Sequence, residues 1–136
     1  MGSQFLARLP MGADLLEAIT DEFRSRSIGN GSFTLIGAAT KAVIGFYDPV
    51  NRQYHFKEFD GAYEIVACMG NISEKDGEIF AHAHILISDE NLQCIGGHLG
   101  PGTRIFASEL YGTVAPGHIM KREYDDATGL MLWARS

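Results

Sequence analysis

The sequence predicts an α+β fold, a mainly antiparallel β-sheet with one principal α-helix packed on it. Three observations carry that prediction. Helical periodicity occurs in one segment only, where Leu15, Leu16, Ile19 and Phe23 recur at the spacing of a single buried stripe. From Ser32 onward, short runs rich in β-branched and aromatic residues follow one another to the end of the chain. Turn signals separate them: Asp48-Pro49-Val50-Asn51, Asp60-Gly61, Glu74-Lys75-Asp76-Gly77, Asp89-Glu90-Asn91 and Pro101-Gly102 place Gly, Pro, Asn or Asp where hairpins need them.

In chain order, Gln4 to Leu9 reads as a first strand, ended by Pro10-Met11-Gly12. Asp14 is a natural N-cap, and Glu17 three residues on completes a capping-box-like pair for a helix reaching about Arg26. Ile28-Gly29-Asn30-Gly31 closes it with residues that tolerate left-handed backbone. The predicted strands are then Phe33 to Ala39, Ala42 to Tyr47, Arg52 to Phe59, Ala62 to Ile72, Ile79 to Ser88, Leu92 to Leu99, Thr103 to Val114, Ile119 to Tyr124 and Leu130 to Ala134. Small residues, Gly37-Ala38-Ala39 with Ala81 and Ala83, leave room for the helix or a second layer to approach. The tail Leu130-Met131-Leu132-Trp133 is apolar enough for a buried or intersubunit strand.

A chain of 136 residues fits one domain, residues 1–136, that buries a core without staples. No apolar run approaches the roughly 20 residues of a membrane helix. The opening Met1-Gly2-Ser3-Gln4 lacks a basic region and an apolar signal core, so the expected location is the cytoplasm. Cys68 and Cys94, each within an apolar strand pattern, read as reduced core residues. A net charge of −6 weighs against gripping nucleic acid, whose phosphates are neutralised by Lys and Arg. Lys121-Arg122 and Arg24 to Arg26 read as solvated surface.

Three of the five histidines fall on one predicted hairpin. Side chains alternate faces along a strand, so His82 and His84 point the same way. If the turn is an odd loop of three residues, Asp89-Glu90-Asn91, His98 lies across from His82 on the same face and Gly96 lies across from His84. Opposed Cβ atoms stand about 5 Å apart and diagonal ones about 7 Å apart, which lets three imidazoles converge on one ion. Three protein nitrogens with an open position suit a catalytic-type zinc site, and the same donors would accept nickel, copper or iron. An even loop would turn His98 to the other face. The competing reading is of half-buried strand histidines bonded to their neighbours.

His55 and His118 have no partner at ligand spacing and read as surface or interface residues. Glu64 and Glu109 are carboxylates within strand patterns, where each wants a partner. They are the candidate catalytic bases. Glu109, together with Arg8, is also a candidate for supporting a ligand imidazole, and an ion pair with Arg8 or Arg104 is the plainer expectation. A cupin-like site also begins with His-x-His, but its acidic ligand would have to be Asp89 at the hairpin tip, too far along to reach the same ion.

His82-Ala83-His84, the turn, and Gly96-Gly97-His98-Leu99 resemble the plants-and-prokaryotes-conserved (PPC) domain family. The likeness extends over nearly the whole chain. Arg8 to Leu16 is similar to the family's opening strand and helix, Phe33 to Ala38 to its early Gly-x-Phe-like strand, and Glu109 to its acidic strand position. Gly61-Ala62-Tyr63-Glu64-Ile65-Val66 is similar to a Gly-Arg-Phe-Glu-Ile-Leu segment associated in plant members with protein partners, with Ala62 where the family has Arg. The resemblance implies a PPC-like sheet with a helix on it, assembled as a homotrimer, and in some prokaryotic members a divalent metal at the three histidines. The expected role of the protein is an undefined binding or regulatory one. Family members are often called DNA-binding, but this chain has no Arg-Gly-Arg-Pro-like hook and is acidic. The alternatives are a DNA-associated regulator and a metal-dependent enzyme on a small molecule, in which the ion would acidify water toward a pKa of about 7 with Glu109 or Glu64 as base.

Overall fold

The computed structural model describes residues 3–135; Met1 and Gly2 of the opening stretch, and Ser136, lie outside the described residues. The elements run β1 (Gln4–Leu9), α1 (Leu15–Ser25), β2 (Gly31–Asp48), β3 (Gln53–Lys75), β4 (Glu78–Ser88), β5 (Cys94–Leu99), β6 (Arg104–Val114), β7 (Arg122–Asp125) and β8 (Leu130–Trp133). Six strands form one antiparallel sheet in the order β1-β6-β2-β3-β4-β5. β5 then pairs back onto β2 through Ile44 with Leu99 and Gly45 with His98, so β2 to β5 curl into a barrel-like closure. β7 and β8 form a separate two-stranded sheet. The mainly antiparallel sheet with one helix agrees with the sequence reading. No helix among the described residues is long and apolar enough to cross a membrane.

The helix begins where Asp14, in extended backbone, accepts a hydrogen bond from Glu17 N at 3.0 Å. Its other carboxylate oxygen accepts from Gly102 N at 2.6 Å. Asp14 therefore ties the helix start to the turn leaving β5. Leu15, Ile19 and Phe23 are fully buried against the sheet, and the Phe23 ring meets Phe5 edge-on at 5.1 Å and Phe33 at 6.1 Å. At its end, Ser27 N bonds to Arg24 O and Ile28 N to Phe23 O, a Schellman motif. The left-handed residue is Ser27 (φ 56°), not Gly29 or Asn30 as the glycine-rich stretch suggested. The left-handed position thus falls two residues before Gly29, and the helix itself ends at Ser25.

Four predicted strands prove to be two. Phe33 to Ala39 and Ala42 to Tyr47 belong to continuous β2, while Arg52 to Phe59 and Ala62 to Ile72 belong to continuous β3. Asp60-Gly61 makes a bulge instead of a hairpin: Ala39 faces Tyr63 and Lys41 faces Asp60, so Thr40 stands against both Gly61 and Ala62. Gly61 takes up the distortion at φ 114°. A second bulge sets Ile36 against Val66 and Ala67. These bends let two long strands turn around the closed part of the sheet without ending.

Cys68 is buried and Cys94 is exposed, both free, which corrects the reading of Cys94 as a core residue. The tail strand β8 is half-buried to exposed, with Trp133 44% accessible, so it is not fully covered within the chain.

Candidate metal centre

β4 places Ala81, Ala83, Ile85 and Ile87 in the core, which leaves His82 and His84 on the outer face. The turn that follows spans five residues, Asp89 to Gln93, not three. Its geometry comes from Asp89, whose carboxylate accepts from Asn91 N at 2.9 Å and Gln93 N at 3.0 Å, while Asp89 N bonds to Gln93 O. Leu92, expected in the strand, sits at φ 63° in the loop. The loop is odd as expected, so all three histidines share a face. The register differs by two residues, however: His98 lies across from His84, and Gly96 across from Leu86. Asp89 is committed to its own loop, which removes it as a ligand.

The three rings converge. Ring centroids are 5.3 Å apart for His82 and His84, 5.1 Å for His82 and His98, and 5.7 Å for His84 and His98. One nitrogen from each lies within 4.8 Å of the others. The Tyr54 ring lies against His98 at 4.6 Å, tilted by 35°, on the side where β5 meets β2. The buried Nδ1 of His98 has no hydrogen-bond partner among the described residues. An orphaned buried imidazole nitrogen is costly, and an ion is one means of satisfying it.

Metal binding needs neutral imidazole, and the surroundings favour that form. Burial pulls His82 down to about 4, helped by the nearby His98, Arg122 and His84. Burial, then His84, lowers His98. An unfolded histidine titrates near 6.5, so between about pH 6.5 and about pH 4 the unfolded chain binds a proton that folded His82 refuses. Stability from this source is complete above the unfolded value and is lost as pH falls through that window. Metal-free protein should therefore lose melting temperature on acidification over this range, and His82→Gln should lose less. Equal losses, measured by circular dichroism, would contradict the assignment.

Glu64 and Glu109 do not join the histidines. Glu64 is exposed and faces Ser88, four residues along β4 from His84, about 13 Å away. Glu109 is exposed on β6, three strands from β4, about 14 Å away. Arg8 is its register partner, yet no ion pair joins them among the described residues, and neither touches a ligand imidazole. Arg104 stands opposite Lys41 instead. His55 and His118 are exposed, as expected, with His55 3.7 Å from Asp48.

The sequence reading missed Arg122. It is half-buried, with Phe80 and Trp133 ring centres 5.3 and 5.8 Å from its guanidinium. It donates to Ser73 Oγ at 2.9 Å, Asn71 Oδ1 at 2.8 Å and Met131 O at 3.0 Å. Asn71 is the register partner of His82, so this arginine docks the β7–β8 hairpin beside the histidines. The aromatic residues Phe80 and Trp133, far away in sequence, were its only signal.

Together these features define an α+β protein with a three-imidazole centre on the outer face of a closed antiparallel sheet. The chain belongs to the Plants and Prokaryotes Conserved (PCC) domain family, whose model matches residues 1–116. It is similar to a metal-containing protein from Archaeoglobus fulgidus (36% identity, 98% of this chain and 94% of that one, TM-score 0.93). It is also similar to a plant- and prokaryote-conserved protein from Pyrococcus horikoshii (30% identity, 99% and 93%, TM-score 0.93). A third structure, from Ralstonia eutropha JMP134, carries a provisional DNA-binding name (26% identity, 99% and 97%, TM-score 0.87). No curated protein matches the chain.

Proposed function

We propose that the protein is a cytoplasmic homotrimer that holds one zinc ion per chain through His82, His84 and His98 and serves a binding or regulatory role. The observation that carries the metal reading is the convergence of three imidazole nitrogens within 4.8 Å, one ring having an orphaned buried nitrogen. The metal-containing relative from Archaeoglobus fulgidus supports it. An ion there would supply Lewis acidity and a fixed positive charge. With Glu64 and Glu109 remote from the rings, neither serves as a base at the centre, which leaves the enzymatic alternative without its expected partner.

The trimer reading is supported by apolar side chains on the sheet's outer face: Leu6, Ile36, Met69 and Phe106 are each more than half exposed. Light scattering should return about three times the 14.9 kDa chain mass; a monomer would contradict it. Direct DNA binding has no place in this reading, given the net charge of −6. Metal analysis of protein purified without a nickel column tests the central claim, and a metal-free product that takes up no added zinc would overturn it.

A further inference from the structure

A cavity of about 340 Å³ lies between the histidine face and the β7–β8 hairpin. One wall is His82, His98 and Tyr54, and Arg52, Lys75 and Arg122 also line the space. No carboxylate among the described residues lines it, in a chain with 17 acidic and 11 basic residues. None of the three cations forms an ion pair among the described residues. Arg122 gives three of its five N–H groups to neutral acceptors and so keeps its whole charge uncompensated while half-buried.

The cations are held in place. Arg52 sits at φ 54° in the β2–β3 turn, and its stem packs over Gly129, where a side chain would collide with it and with the Tyr47 hydroxyl. Tyr47 donates to Thr128 O at 2.5 Å, which fixes the β7–β8 turn against the β2–β3 turn. Lys75 is steadied over the Phe80 ring at 4.8 Å. Phe80, Leu130 and Leu132 give the cavity an apolar side. The hairpin that completes it lies beyond residue 116, where the family match ends.

We propose that this cavity binds a small organic anion, its oxyanion head held by Arg52, Lys75 and Arg122 and its apolar body against Phe80, Leu130 and Leu132. Carboxylate and phosphate heads share the chemistry that a cavity lined by two guanidinium groups and one ammonium recognises. The volume suits a molecule about the size of a single ring. The cavity shares the wall of His82 and His98 with the proposed metal centre, but the anion is held by the cations, so metal-free protein tests the proposal.

Calorimetric titration of chelator-stripped protein with benzoate and with phenyl phosphate distinguishes the two heads, with benzyl alcohol as the uncharged control. At least one anion should bind with a dissociation constant below about 1 mM, and benzyl alcohol should bind at least about tenfold more weakly. Arg52→Gln with Lys75→Gln, which leaves the three hydrogen bonds of Arg122 in place and removes only the 3.5 Å bond from Arg52 Nη2 to Ala127 O, should weaken binding about tenfold or more. Arg122→Gln should abolish it, with far-ultraviolet circular dichroism checking that the hairpin's loss has not unfolded the sheet. Absence of binding by both anions, equal binding of the alcohol, or unchanged affinity in the double variant would overturn the proposal. Zinc uptake measured on the same samples keeps the two readings apart: zinc without anion binding defeats this one alone, and anion binding without zinc defeats the metal reading alone.

Discussion

His82→Ala with His84→Ala is expected to reduce zinc from about one ion per chain to less than about one-tenth, because a single remaining imidazole cannot supply the three-ligand site. The fold should survive the change. His82 and His84 face outward from β4, whereas the residues that hold that strand to the core are Ala81, Ala83, Ile85 and Ile87. Removing His82 also removes a half-buried imidazole that must shed its proton to stay folded in acid. Below about pH 6.5, thermal stability of the stripped double variant should thus equal or exceed that of the stripped parent. Unfolding of the variant would mean that the rings serve packing, and retained zinc would mean that the ligands lie elsewhere.

Phe23→Ala is expected to have the largest effect on the fold, about 3–5 kcal/mol. The ring is wholly buried at the junction of α1, β1 and β2, in contact with Phe5 and Phe33, and alanine leaves a cavity that these rings cannot close. That is a large share of the roughly 5–15 kcal/mol that holds a domain together. Phe23→Leu should recover most of the loss. Phe33 in turn packs over Gly70, where a Cβ would fall on the carbonyl oxygen of His82, so the core reaches to within one residue of the metal face through backbone alone. Urea denaturation of the two variants measures the cost directly, and a loss below about 1 kcal/mol for alanine would show that the helix is not anchored by this ring.

The helix was legible because its signals are local: the Asp14 cap and the Leu15, Ile19, Phe23 stripe act within four residues of one another. The histidine face was legible because strand parity is robust; any odd loop puts His98 on the face of His82 and His84. The register was not, because it depends on a single side chain. Asp89 gathers two backbone amides and lengthens the loop to five residues, which no composition pattern distinguishes from three. The strand count failed for a related reason. Asp60-Gly61 is an apt hairpin turn in isolation, and only the pairing of β2 with β3 across it makes it a bulge. Arg122 is the clearest case of non-local meaning: beside Lys121 it reads as surface charge, and its aromatic neighbours and acceptors come from 9 to 51 residues away, brought together by the docking of one hairpin.

One ion among three rings is the centre of the proposed function. Diffraction from crystals of protein grown without added metal and purified without a nickel column, recorded on both sides of the zinc absorption edge, should show one anomalous peak per chain between the nitrogens of His82, His84 and His98. No peak there, or a peak held by other residues, would contradict it.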